Sequence, residues 1–252
     1  MMKRKVVLIT DCTDVALLEM RGAIFSNASN DNFEIEPIVN VENFSIQHAA
    51  FLTRLIAEIY PPGTIIAVIV NPSQRRPERI IGRTKYKNLI FEGPNTGAFG
   101  WLIEDFGVEE VYEIYDPGFV PFGGKYVHSP AIGKAASGTP INELGSVFNK
   151  QSILPSPIQE GTIVHIDNFG NAKLKMNFKD ENGALYKVLI DDKMYKFLYW
   201  TRMMERNDGE YIIYPGSSFD LIELGIVRGN LAKELNLKVG DIVKVERVLE
   251  NV

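Results

Sequence analysis

"YPPGTIIAVIVNP", residues 60–72, decides how the first half of the chain is built. Pro61, Pro62 and Gly63 stop a preceding helix, because proline lacks the N–H that continues a helical ladder. "TIIAVIV" (64–70) then runs without polar alternation, as expected of a strand covered on both faces. Asn71-Pro72 ends it. A strand of this kind belongs to a parallel sheet whose crossovers are helices.

The neighbouring segments agree. "VVLIT" (6–10) is a short apolar run that stops at Asp11. Leu17, Leu18, Met20, Ile24 and Phe25 recur at helical spacing over 14–26. "FEIEPIV" (33–39) alternates like a strand, and Ser45 is placed to cap a helix carrying Ile46, Ala49, Ala50, Ile56 and Ile59. Downstream, "NLIF" (88–91) and "VEEVYEI" (108–114) read as strands around a short helix at 97–104. Strands alternating with helices predict an α/β domain with a parallel sheet.

The pattern changes after residue 137. "SGTPINELGS" and "LPSPIQEG" are rich in Gly, Pro and Ser and read as a connection. From Gly161 onward, "TIVHI", "AKLKMNF", "LYKVLI", "EYIIYP", "FDLIELGIV" and "DIVKVERVL" read as short strands separated by turns. The expected organisation is an α/β domain over 1–150, with its connection beginning near 137, and a small antiparallel β-barrel domain over 158–252.

The composition of the 252 residues is that of a soluble globular protein, with 45% apolar and 23% charged residues. A net charge of −5 gives no strong pull toward nucleic acid or anionic membrane, so neither is an expected partner. Cys12 is the only cysteine, which excludes an intrachain disulfide and multi-thiolate zinc sites and fits a reducing cytoplasm. Lys3-Arg4-Lys5 followed by "VVLIT" imitates a signal peptide, but the apolar run reaches Asp11 too soon. "TIIAVIV" is far too short to span a bilayer. The expected location is the cytoplasm.

Ligands of open parallel sheets bind beyond the carboxyl ends of the strands. Asp11, Asn71 and Asn95 are polar stops after successive apolar runs, which would put them on one edge. The alternative is that Asp11 caps the next helix and the two asparagines belong to plain turns. No Gly-rich phosphate loop follows the first strand, and no His/carboxylate spacing argues for a metal, so no cofactor is expected. His48 sits mid-helix and His165 in a strand, both with ordinary structural roles. His128, in "YVHSP", is the histidine best placed for chemistry.

"HIDNFGN" (165–171) begins like a strand and then gathers a carboxylate, a ring and two carboxamides. A two-residue hairpin would need only Asn-Gly or Asp-Gly. Phe169 can stack on a heterocycle, Asn171 can offer donor and acceptor to a base edge, and Asp167 can hold an ammonium. The bland reading is a hairpin turn with Phe169 as core.

Taken in order, these motifs resemble the S-adenosylmethionine (SAM) hydroxide adenosyltransferases, relatives of the fluorinases and chlorinases. "IDNFGN" (166–171) is similar to the family's Ile-Asp-x-Phe-Gly-Asn, and "ELGIVRGNLAKELNLKVGD" (223–241) to its Glu-Ile-Ala-Val-x-x-Gly-Asn-Ala-Ala stretch. "YPPGTIIAVIVNP" resembles its Phe-Pro-x-Gly-Thr-Val-x-x-x-Val-Val-Asp-Pro, and "GPNTG" (93–97) its Pro-Asp-Asn-Gly. The resemblance implies an N-terminal α/β domain, a C-terminal β-barrel and a homotrimer with sites between subunits. It implies attack of water at C5′ of SAM, giving adenosine and methionine. By position, Asp11 would hold the ribose hydroxyls. Phe169, Asn171 and the backbone near Ala232 would contact adenine, Asp167 the methionine ammonium, and Ser218 its carboxylate.

The departures fall on the catalytic positions. The hydrolases place an Asp, an Arg and a His around the water. Their Val-Asp-Pro is Val70-Asn71-Pro72 here, and their Arg pair falls on "SQRRPERI" (73–80). Ungapped, those arginines match Glu78 and Arg79, and a shift would bring in Arg75 or Arg76. His128 is displaced by one position. Asn71, Arg76, Arg79 and His128 are therefore the expected catalytic set. The alternative to a hydrolase is a SAM or adenosine binder with a degenerate triad and little turnover.

Overall fold

The computed structural model describes residues 3–71, 73, 74 and 76–248, so Pro72 and Arg75 lie outside the described residues. The chain divides into two compact units, 1–157 and 158–252.

In the first unit β1 (Arg4–Thr10), α1 (Val15–Asn27), β2 (Phe33–Ile35), β3 (Val39–Asn40), α2 (Ile46–Ile59) and β4 (Ile65–Ile69) come first. β5 (Arg79–Thr84), β6 (Ile90–Pro94), α3 (Gly100–Phe106) and β7 (Val108–Ile114) follow. A π-helical turn (Gly124–His128) then leads directly into α4 (Ser129–Ala136), and β8 (Gly145–Val147) closes the order. The strand order is β2-β1-β4-β6-β5-β7-β8, with β3 also on β1.

β1, β4 and β6 are parallel neighbours, in register at Leu8↔Ala67 and Ala67↔Glu92. Side chains alternate across the sheet. Val6, Leu8, Ile65, Ala67, Ile81 and Ile90 pack with Met20 and Ile24 of α1 and Ile132 and Ala135 of α4. The other face meets α2, whose Phe51 lies 6.5 Å from the Trp101 ring of α3. Asp14 caps α1 by accepting the Ala16 N–H, and Ser45 caps α2 by accepting that of His48.

Two expectations need correction. The first sheet is mixed rather than parallel: β5 runs antiparallel to β6 and β7, and β8 antiparallel to β7. The cause is local. Lys87 and Asn88 take left-handed φ of 65° and 52°, which makes the β5–β6 link a tight reversal. Such a turn can only join antiparallel strands. The segment "SQRRPERI" thus supplies the start of a strand, and "SGTPINELGS", read as connection, contributes β8.

In the second unit β9 (Ile163–Ile166), β10 (Ala172–Leu174), β11 (Leu185–Ile190), β12 (Lys193–Tyr199), β13 (Tyr211–Pro215) and β14 (Ile222–Ile226) precede α5 (Leu231–Leu235) and β15 (Lys244–Arg247). They form one curled sheet in the order β15-β11-β12-β13-β14-β10-β9 around a core that includes Leu174, Val188, Phe197, Ile213, Leu224 and Leu231. It is not wholly antiparallel, because β12 and β13 pair in parallel. Residues 200–210, with a 3₁₀ turn at Met203–Glu205, carry the chain back before it re-enters the sheet. Beside the two edge strands, Thr162 and Ile242 form an antiparallel bridge. Among the described residues no helix is long and apolar enough to cross a membrane.

Candidate active site

A cleft of about 280 Å3 opens in the first unit where β1, β4 and β6 end. Asp11, Asn71, Arg76, Arg79 and His128 all line it. The cleft brings together Asp11 and Asn71 from the strand-end argument with Arg76, Arg79 and His128 from the expected catalytic set. Phe44 and Phe122 add apolar wall.

Each side chain is placed by an identifiable local cause. Asp11 does not cap α1, since Asp14 does; Asp11 Oδ2 instead accepts the Phe44 N–H at 2.9 Å. Asn71 Oδ1 accepts the Ser73 N–H at 2.9 Å in an Asx turn that ends the β4 run. Arg76 Nη2 donates to Asp116 Oδ1 at 2.5 Å and to the Gly118 carbonyl at 2.8 Å. Arg79 lies 3.6 Å from the same Asp116 oxygen, and its Nη1 is buried with no hydrogen-bond partner among the described residues. Burial, and then the neighbouring Arg76, lower the Arg79 pKa from its ordinary value. Gly123 lets the chain pass this guanidinium, since a Cβ there would stand 2.9 Å from Arg79 Nη2.

His128 closes the π-helical turn, in which the Ser129 N–H reaches back to the Gly124 carbonyl. Pro130 follows within the first turn of α4. Wide turns of this sort recur at functional sites. The ring is buried, 5% exposed, and its Nδ1 lies 2.6 Å from Glu92 Oε1.

Glu92 was not anticipated. It sits in the middle of β6 at 0% exposure, paired in register with Ala67 on one side and Ile81 on the other. Burial pushes its carboxyl above the ordinary range, against the opposing pull of His128 and Arg79. A signal was present in the sequence: a carboxylate directly after the apolar run "NLIF" is rare unless partnered.

Asn95, expected on the same edge, is buried outside the cleft. Its Nδ2 donates to Glu78 Oε2 at 3.2 Å and the Ser152 carbonyl at 3.0 Å, and its Oδ1 accepts the Leu154 N–H at 2.9 Å. It fastens the 152–154 segment. Glu78, matched to a family arginine without gaps, serves this same tie. His48 is structural, its Nδ1 accepting the Glu42 N–H at 3.1 Å.

In the second unit the 167–171 turn is a rigid loop joining β9 to β10. Asp167 Oδ1 accepts the N–H groups of Phe169 and Asn171, each at 2.9 Å. Phe169 is 67% exposed, which removes the reading of this ring as core. Gly170 has φ of 87°, and its carbonyl accepts the Ala232 N–H at 3.0 Å. Asp167, Phe169 and Asn171 are therefore held against the start of α5, but the Ala232 N–H is already engaged. Ser218 lies buried on the separate 216–220 turn between β13 and β14. His165, Lys173, Glu223 and Tyr214 are register partners along one row beside this loop. Glu223 accepts from the Lys173 ammonium and, at 2.8 Å, from the Tyr214 hydroxyl. Burial, then Lys173, lowers the His165 pKa. Among the described residues no group of three or more His, Cys, Asp and Glu is arranged to hold a metal ion.

Residues 6–145 match the SAM hydroxide adenosyltransferase N-terminal domain, and residues 161–244 match the corresponding C-terminal domain. The chain is 21% identical over 262 aligned positions to the (R)-S-adenosyl-L-methionine hydrolase of Methanocaldococcus jannaschii, covering 94% of this chain and 95% of that one. Two solved structures share the fold. An uncharacterized conserved protein from Thermotoga maritima has a TM-score of 0.82 at 19% identity, over 95% of this chain and 99% of its own. A conserved hypothetical protein from Thermus thermophilus has a TM-score of 0.76 at 20% identity, over 96% of this chain and 100% of its own. The order of motifs, the two units and both domain matches lead to one statement: the chain belongs to the SAM hydroxide adenosyltransferase family.

Proposed function

We propose that the protein is a SAM hydrolase. Water attacks C5′ of SAM, the C5′–S bond breaks with its electron pair going to sulfur, and adenosine, methionine and a proton leave. The observation that carries this reading is the convergence of Asp11, Asn71, Arg76, Arg79 and His128 on one cleft in a chain of this family. The sulfonium departs as a neutral thioether, so positioning and desolvating the water supply much of the acceleration.

Asp11 binds the ribose hydroxyls, and Arg76 and Arg79 organise the charge around the water. His128, with no partner at Nε2 among the described residues, takes the proton. Phe169 stacks on adenine and Asn171 reads its edge. Asp167 holds the ammonium and Ser218 the carboxylate. These binding groups stand in the second unit, and in our reading they meet the cleft of another copy, which makes the working form a homotrimer. The Thr162–Ile242 bridge supports closure of the second sheet into a barrel. The single cysteine supports a cytoplasmic setting.

The alternative, a non-catalytic binder of SAM or adenosine, is not favoured. It rests on the departures at Asn71, Glu78 and His128, whereas the curated relative is named for hydrolysis over nearly the whole chain. That name specifies the R configuration, so both sulfonium epimers belong in the assay. Purified protein incubated with each epimer should yield equal amounts of adenosine and methionine from at least one. Binding of both epimers without either product would select the binder instead.

A further inference from the structure

Resting on the hydrolase reading, we propose that Glu92 is a positioning residue: its carboxylate accepts the Nδ1–H of His128 and so presents the Nε2 lone pair to the attacking water.

The first argument is cost. A carboxyl at 0% exposure between Ala67 and Ile81 is expensive to keep, and replacing it with an apolar residue would relieve that cost. Among the described residues its one side-chain hydrogen bond is to His128, at 2.6 Å, slightly shorter than a usual charge-assisted N–H···O bond. Its other oxygen, Oε2, has no partner among the described residues. A carboxylate kept for stability would have both oxygens satisfied. This one serves a single ring nitrogen.

The second argument is tautomer. An imidazole whose Nδ1–H is held by a carboxylate keeps its Nε2 as acceptor, and the anion stabilises the imidazolium formed when Nε2 takes a proton. Asn71 cannot do this, because a carboxamide carries no charge. β4 and β6 are adjacent parallel strands, so a carboxylate missing at the end of one is replaced from within the other.

The third argument is charge. Around His128 stand Asp11 and Cys12 beyond β1, Arg79 on β5, and Arg76 paired with Asp116. Glu19 on α1 pairs with Lys125 on the histidine's own turn, beside Tyr126. Of all these, only Glu92 is bonded to the ring, and Arg79 favours its charged form.

The test compares wild type with Glu92→Gln, which keeps the size and one acceptor but no charge. We expect kcat to fall by about a hundredfold, with the SAM Kd by calorimetry changed less than about twofold. The pH at which kcat rises should move down, since the ring has lost the negative charge beside it. Unchanged kcat and an unchanged pH limb would overturn the proposal. Independently, proton–nitrogen correlation spectra of histidine-labelled wild type, assigned with His48→Asn and His165→Asn, should show His128 protonated on Nδ1 above that limb. A proton on Nε2 would also overturn it, and this arm needs no variant at position 92. If wild type turns over neither epimer, the hydrolase reading fails, while the spectra still decide what Glu92 does to the ring.

Discussion

Asp167 and Asn171 are bonded to each other three times across the turn they bracket. Asp167 Oδ1 accepts the Asn171 N–H at 2.9 Å, Oδ2 accepts from Asn171 Nδ2 at 3.0 Å, and the Asp167 N–H donates to the Asn171 carbonyl at 3.0 Å. The acidic turn therefore builds itself before it binds anything. Truncating Asp167 removes the proposed ammonium partner and the scaffold together, so Asp167→Ala cannot separate the two roles.

Asp167→Asn can. Its Oδ1 still accepts the Phe169 and Asn171 N–H groups, so two of its three side-chain bonds survive with the Asn171 amide left as it stands. We expect a melting temperature near that of wild type. SAM affinity should fall by about 1.5–3 kcal/mol, the scale of a hydrogen bond to a charged group, while adenosine affinity is unchanged. Calorimetry with both ligands checks this, and equal losses for both would remove the ammonium role.

The row beside that turn makes a stability prediction. Lys173 is 6% exposed and paired with Glu223, which also accepts from Tyr214. Lys173→Met keeps the stem but leaves Glu223, whose side chain is 13% exposed, with only a hydroxyl donor. Breaking such a pair typically costs about 3–5 kcal/mol. Urea unfolding at neutral pH should show a loss of that order, whereas the exposed Lys179–Asp220 pair should give almost none on Lys179→Met.

Glu92 makes stability depend on pH in an unusual direction. Burial raises its folded pKa above its unfolded value. Over the window between the two values the native state binds more protons than the unfolded chain, so stability falls as pH rises through it and levels off above the folded pKa. Glu92→Gln removes that decline. The stability difference between variant and wild type should grow in the variant's favour as pH rises above the ordinary glutamate range, and then level off, measured by urea midpoints. A difference that shrinks with rising pH would mean that His128 and Arg79 outweigh burial.

How far the sequence could be read follows from the same residues. Asp11 and Asn71 were legible because apolar runs stop at them, and parallel neighbours must end on one edge. Asn95 obeyed that rule and still missed the cleft, because bonds to Glu78, Ser152 and Leu154 turn it away. β5 was hidden: its central Ile80-Ile81 follow three arginines, and only the Lys87-Asn88 reversal commits them to the sheet. Glu92 stood out after "NLIF", but its partner was hidden, since His128 lies 36 residues on in a turn no local pattern predicts. Phe169 was legible as an exposed ring only through the motif, because periodicity alone allowed it as core.

Asn71 is where the two accounts of catalysis separate. If the family's carboxylate is simply missing, Asn71→Asp should restore a group of the kind whose loss costs about 10²–10³-fold in rate. The structure argues against so large a gain. Asn71 Oδ1 is spent on the Ser73 N–H, a bond that aspartate would keep. Arg76 already has Asp116 as counter-ion, and His128 already has Glu92. A new anion at 71 would face an arginine and a histidine that already have carboxylate partners. We therefore expect Asn71→Asp to change kcat by less than about tenfold, under about 1.4 kcal/mol of barrier, while Glu92→Gln removes most of the rate. Steady-state adenosine release at saturating SAM measures both variants side by side. A hundredfold gain in Asn71→Asp would return the missing charge to the end of β4 and reduce Glu92 to a support for the ring.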